Sequence, residues 1–121
     1  MKPSKYRNVR TEVDGIVFAS KAEARRYLEL RLLERAGEIT ELEIQKRYPL
    51  TAFDGTRLAT YVADFAYVDR KSGQRVTEDV KGVETPAFKL KSKLFEAQYG
   101  RKIVLIKSGR RAHPVIVESV K

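Results

Sequence analysis

Cysteine is absent from the 121 residues, and histidine and methionine occur once each, as His113 and Met1. Without thiols there is no disulfide, no thiolate metal site and no mark of an oxidising compartment. One imidazole leaves no basis for a histidine-rich metal centre or a histidine-based nuclease motif, and in His113-Pro114 it reads as a loop feature. No apolar run approaches bilayer length, and Met1-Lys2-Pro3-Ser4-Lys5 lacks the apolar stretch of a secretory signal. A cytoplasmic protein without a membrane partner is expected. Repeats, linkers and low-complexity tracts are missing as well, so residues 1–121 read as one domain with a single modest core.

What the chain has in excess is positive charge. The formal charge is +9 and the pI near 9.9, with 34% charged and 42% hydrophobic residues, a globular balance. The excess is clustered: Lys2, Lys5, Arg7 and Arg10 precede the first acid, Glu12, and Arg101, Lys102, Lys107, Arg110 and Arg111 form a second block. Such patches suit a polyanion such as nucleic acid, although solubility alone could also explain them.

The pattern of turns and apolar spacing orders the elements. Residues 1–10 read as a basic arm. Asp14-Gly15 between apolar positions predicts a short hairpin over Thr11 to Phe18. Ser20-x-x-Glu23 opens a capping box, and Ser20 to Ala36 reads as a helix stopped by Gly37. Strands are expected over Ile39 to Leu50, Leu58 to Val68 and Arg75 to Lys81, with turns at Phe53-Asp54-Gly55-Thr56 and Lys71-Ser72-Gly73-Gln74. A helix beginning near Pro86 runs to Tyr99 and ends at Gly100. Ile103 to Ile106 is a short apolar strand, and Val115-Ile116-Val117 a further edge strand. This order predicts an α/β fold, a sandwich of helices around a mixed sheet.

The acids on these strands carry the chemistry. Asp64 ends one strand; Asp79 and Lys81, two apart on the next, share a face while Val80 points the other way. If the strands pair, Asp64 approaches Asp79, and two close carboxylates call for a divalent cation between them. Such a cation can clamp a phosphodiester and activate a water, with Lys81 placed to orient that nucleophile. Glu23 shares a helical stripe with Tyr27 and Leu30, which carries it toward the two acids; it could equally be the reciprocal partner of the Ser20 cap. On the second helix, Lys91 and Gln98 interrupt an apolar arc of Phe88, Leu90, Leu94, Phe95, Ala97 and Tyr99, while Lys89 and Lys93 form the solvent face. Lys91 must reach an edge or meet an anion, a carboxylate or a substrate phosphate. Glu78 has the wrong parity to join Lys81 and is expected to face solvent or a partner, and Gln45 could point into the cleft or into water.

Glu23, Asp64 and Asp79-Val80-Lys81, in that order, resemble the PD-(D/E)XK, or restriction-endonuclease-like, nuclease superfamily. Ser20-Lys21-Ala22-Glu23, Tyr61-Val62-Ala63-Asp64-Phe65 and Glu78-Asp79-Val80-Lys81-Gly82 are similar to a group of small, mostly phage-encoded nucleases of that fold, over about residues 6–107. Ala63 stands where the superfamily name has proline. The resemblance implies an α/β/α core with a central mixed sheet flanked by helices. It implies Mg²⁺ or Mn²⁺ held by Asp64, Asp79 and the Val80 carbonyl, with Glu23 directly or through water, and catalysis by Glu23, Asp64, Asp79 and Lys81. It also implies the host-cell cytoplasm and a 5′-phosphate product. The layout is shared with archaeal-type Holliday-junction resolvases, so a homodimer cutting branched or four-way DNA is expected. Nicking, flap or restriction-like cleavage, and DNA binding without turnover, are the alternatives. Candidate DNA contacts are Lys2, Lys5, Arg7, Arg10, Ser20, Lys21, Lys89, Lys91, Lys93 and Gln98.

Overall fold

The computed structural model of the chain describes residues 9–107. Lys2, Lys5, Arg7, His113 and the predicted strand at Val115-Ile116-Val117 lie outside them. The elements run β1 (Thr11–Val13), β2 (Ile16–Phe18), α1 (Lys21–Arg35), β3 (Ile39–Thr51), β4 (Arg57–Asp69), β5 (Arg75–Lys81), α2 (Pro86–Tyr99) and β6 (Val104–Lys107). β1 and β2 form a separate hairpin, and its turn residues Asp14 and Gly15 both have positive φ (54° and 77°), the combination that an Asp-Gly pair accepts with least strain. The main sheet has the order β3-β4-β5-β6, antiparallel except for the parallel pair β5–β6, which α2 connects. It is an α/β fold with a mixed sheet. No helix among the described residues is long and apolar enough to cross a membrane.

Both helix starts follow local chemistry. The Ser20 hydroxyl accepts the Glu23 N–H at 3.1 Å, and the Thr85 hydroxyl accepts the Phe88 N–H at 3.1 Å ahead of Pro86 in the first turn. α2 ends where Gly100, at φ 74°, donates its N–H to the Glu96 carbonyl. Each helix brings a core to one face of the sheet. Ala24, Tyr27 and Leu30 of α1 pack with Phe18, Ile39, Phe65, Tyr67 and Val76. Phe88 and Phe95 of α2 pack with Tyr48, Leu50, Tyr61, Ala63 and Ile103. Within the expected apolar arc of α2, Leu90 is instead 60% exposed and Ala97 is exposed as well, so the buried stripe is narrower than the composition suggests.

Glu78 corrects the sequence reading. It does not face solvent but is 1% exposed, because β5 lies inside the sheet with a helix over each face. Its carboxylate accepts from Arg26 Nε at 2.9 Å and Nη2 at 2.6 Å, and from the Tyr67 hydroxyl. Arg26, 2% exposed, also reaches Glu29 at 3.0 Å. Burial works against the charge on Arg26, but the Glu78 hydrogen bonds and charge outweigh it and raise its pKa. Burial and the Glu78 charge likewise raise Tyr67, keeping its hydroxyl a donor.

Breaking such a pair from one side leaves an uncompensated buried charge. Arg26→Met should therefore lose about 3–5 kcal/mol of stability in urea unfolding. Adding Glu78→Gln should recover part of it, because the neutral amide still accepts from Tyr67; a double variant less stable than Arg26→Met would contradict this account.

Candidate metal and acid cleft

Two strand irregularities shape the cleft. β3 residues Lys46 and Ile44 pair with Ala63 and Phe65, so Gln45 stands opposite Asp64. At that rung the ribbon exchanges faces: Ile44 and Phe65 join the α1 core, while Tyr48 and Ala63 join the α2 core. Gln45 makes the switch with φ 56°, a left-handed backbone that disfavours a residue with a side chain by about 1–2 kcal/mol. One strand over, β4 pairs with β5 only from Val68↔Arg75 to Phe65↔Glu78. Beyond Phe65↔Glu78 the strands part, and Asp64 and Asp79 flank the opening.

Strand geometry turns the Val80 N–H and carbonyl toward the same edge. That N–H has lost its ladder partner, and Asp64 Oδ2 accepts it at 2.8 Å. Asp79, 3% exposed, accepts the Tyr61 hydroxyl at 2.5 Å on Oδ2 and an ion pair from Lys81 Nζ at 3.2 Å on Oδ1. The Lys81 ammonium also lies 4.5 Å from the Phe88 ring centre, a cation–π contact that steadies it above Asp79. A neighbouring pocket of about 330 Å³ is lined by Glu23, Asp64, Gln45, Val62, Phe18 and Arg10 among others. Gln45 therefore faces the cleft, one of the two orientations its strand position allowed.

The carboxylates act on one another. Burial, then the charges of Asp79 and Glu23, push the Asp64 carboxyl up to about 8, against the pull of the Val80 N–H. Glu23 is raised by burial and by Asp79, with the Ala19 N–H and Lys81 opposing. Burial and Asp79 raise Tyr61, so its hydroxyl stays a neutral donor. Ser20 caps the Glu23 N–H, while the Glu23 carboxylate takes the Ala19 N–H rather than the Ser20 N–H and lies near enough to Asp64 and Asp79 to feel their charges. Oxygen donors from Asp64 and Asp79 fit a hard divalent cation, with the Val80 carbonyl on the same edge. Among the described residues no three His, Asp or Glu side chains already converge on one ion-sized point.

The candidate DNA contacts scatter more widely. Arg10 lies at the pocket and is exposed. Lys21, Lys89 and Lys93 are exposed, and the Ser20 hydroxyl is engaged as a helix cap. Lys91 is half-buried, and its ammonium donates to the Thr60 carbonyl at 3.2 Å, on the β4 edge that β5 has left. Gln98 clamps α2 to β3, donating to the Pro49 carbonyl at 3.1 Å and accepting the Thr51 N–H at 2.9 Å. In the second basic block, Lys107 pairs with Glu84 at 3.5 Å, and the Arg101 guanidinium packs over Phe95 and Tyr48 and donates to Thr77. The sequence reading missed Tyr61 as the partner of Asp79, although its three-residue offset from Asp64 was in view.

A mixed four-stranded sheet with an acid-lined opening between β4 and β5 is the class this chain presents. Residues 3–111 match the family described as "Protein of unknown function (DUF1064)", and the chain belongs to it. No curated protein and no solved structure matches it.

The raised carboxyls make metal-free stability fall with pH. The unfolded chain releases the Asp64 proton near pH 3.8, while the folded chain holds it to about 8. The site's contribution is therefore full below about pH 4 and is lost as the pH climbs toward 8. In EDTA, Asp64→Asn should raise the Tm at pH 8 by about 4–8 °C, equivalent to ~1 kcal/mol, with little change at pH 4. Thermal melts at the two pH values check this; an unchanged or lowered Tm at pH 8 contradicts it.

Proposed function

We propose that this chain is a Mg²⁺- or Mn²⁺-dependent DNA endonuclease with a restriction-endonuclease-like core. One observation carries the reading: Asp64 and Asp79 flank the opening where β4 and β5 part, with Lys81 bonded to Asp79 at 3.2 Å. A structural role does not call for that arrangement, because the Asp64 carboxyl is driven up to about 8 by burial and by its acidic neighbours. Such groups are characteristic of functional sites. In this reading Asp64, Asp79 and the Val80 carbonyl hold the cation, and Glu23 approaches it directly or through water. Bound there, the cation supplies charge for the phosphodiester oxygens and lowers the pKa of a water.

The chain's own groups do the rest. Lys81 orients the attacking water and balances the charge on Asp79. Tyr61 holds the Asp79 carboxylate in its orientation. Phe88 and Phe95 keep the α2 side of the site dry. The +9 charge draws the polyanion and makes binding weaken as salt rises. The substrate we propose is branched DNA, a four-way junction cut by a homodimer; this finer part is supported by the resemblance to junction resolvases and by the basic balance of a chain with little room for a base-reading domain.

A panel of four-way junction, flap, linear duplex and single strand, with and without Mg²⁺, is the direct test. Symmetric, Mg²⁺-dependent nicks in the junction are expected. Lys81→Ala should slow cleavage about 10²–10⁴-fold, and Asp79→Asn should abolish it while DNA binding persists. Cleavage that survives both substitutions refutes the assignment.

A further inference from the structure

Past the Gln45–Asp64 rung, β3 and β4 continue as a two-stranded ribbon with one face covered and one bare. Tyr48, Leu50, Tyr61 and Ala63 pack in the α2 core. Alternation sends Arg47, Pro49, Leu58 and Val62 to the opposite face, where all four are exposed, Leu58 at 55% and Val62 at 42%. α1 does not reach this half of the ribbon; its buried residues meet Ile39, Phe65 and Tyr67 instead.

The ribbon ends in a turn that presents Phe53, the most exposed of the described large apolar residues at 111%. A ring that exposed adds nothing to folding, since hydrophobic stabilisation follows the apolar area removed from water. Its mount is nonetheless tied by hydrogen bonds. The Ala52 N–H donates to the Thr56 carbonyl at 2.8 Å, the Gly55 N–H to the Ala52 carbonyl at 3.0 Å, and the Thr56 N–H to Asp54 Oδ1 at 2.9 Å. Arg57 is exposed at the foot of the turn.

We propose that the bare ribbon face is the track along which a DNA strand leaves the acid cleft, and that Phe53 stacks on, or wedges between, its bases. The inference rests on the nuclease reading for the identity of the polymer. Three observations support it. The face is continuous with the site, because Val62 belongs to the ribbon and lines the cleft pocket together with Gln45, Asp64 and Arg10. Its dimensions suit a strand: six residues separate Leu58 from Asp64, about 20 Å at strand rise, or the axial length of roughly six nucleotides of a B-form strand at ~3.4 Å each. Its chemistry is matched to DNA: Arg10, Arg47 and Arg57 offer charge to phosphates, Pro49, Leu58 and Val62 offer an apolar strip to sugars and base edges, and the tip offers an aromatic ring. Apolar wedges and aromatic platforms are recurrent means of gripping unstacked bases.

The test measures binding of wild-type protein in EDTA, where nothing is cut, to a duplex and a four-way junction carrying a fluorescent base analogue. Phe53→Ala should weaken binding about tenfold and remove the fluorescence change, whereas Phe53→Trp should keep both. Arg47→Ala should reduce the slope of log affinity against log salt by about one. None of the three should move the Tm, because all the changes are at exposed positions. Phe53→Ala binding both DNAs with wild-type affinity and signal overturns the proposal. So does a Phe53→Ala protein altered only in sedimentation, which would assign the face to a second copy of the chain. The two readings fail separately. Phe53-dependent binding without any Mg²⁺-dependent cleavage removes the nuclease and leaves the track, and cleavage with Phe53-independent binding does the reverse.

Discussion

Strand β5 buries two consecutive carboxylates, Glu78 and Asp79, and the rest of the molecule is arranged around how each is compensated. Neighbours on a strand point to opposite faces, so one acid meets α1 and the other meets the α2 side. Glu78 is answered from within: Arg26 and Tyr67 take its oxygens, and the pair is closed to water. Asp79 has Lys81 and Tyr61, but Asp64 and Glu23 crowd the same region, and their charges together hold the Asp64 carboxyl well above its ordinary range. One face of the strand is electrostatically finished and the other is not. That asymmetry sets Asp64, Asp79 and Glu23 apart from Glu78, whose charge is matched by Arg26.

The cleft owes its shape to broken regularity. Where β4 and β5 cease to pair, a backbone donor and two side chains lose their ladder neighbours, and Asp64 turns inward to accept Val80. On the other side of β4, Gln45 takes a left-handed backbone at the rung facing Asp64. Strain of that kind tends to collect at functional positions. The same rung switches the ribbon from the α1 core to the α2 core, and so leaves the distal half bare on one face. Cleft and ribbon face are two results of one irregular rung.

Much of this was legible in the residues. The capping Ser20, the Asp14-Gly15 turn, Pro86 and Gly100 mark element ends that the structure reproduces within a residue or two, because caps and turns depend on local chemistry. The parity of Asp79 and Lys81 correctly put them on one face, since alternation is a backbone property. Glu78 was misread for lack of one step. Helices expected on both faces of the sheet leave a central strand no solvent to point at, and Arg26, 40° around α1 from Leu30 by helical geometry, lies on the face that meets it. The uneven spacing of Ile39, Leu42, Ile44 and Tyr48 held a trace of the bulge near Glu41.

Local sequence, then, determined the helices, the hairpin turns, the strand parities and the set of acids and lysine that could act together, because each depends on neighbours within a few bonds. Only the tertiary structure decided which charges are neutralised and which are left, where the strands part, and that Lys91 and Gln98 bind backbone carbonyls of the sheet. Those outcomes depend on what a side chain meets from a distant segment, and burial sets the energy of that meeting.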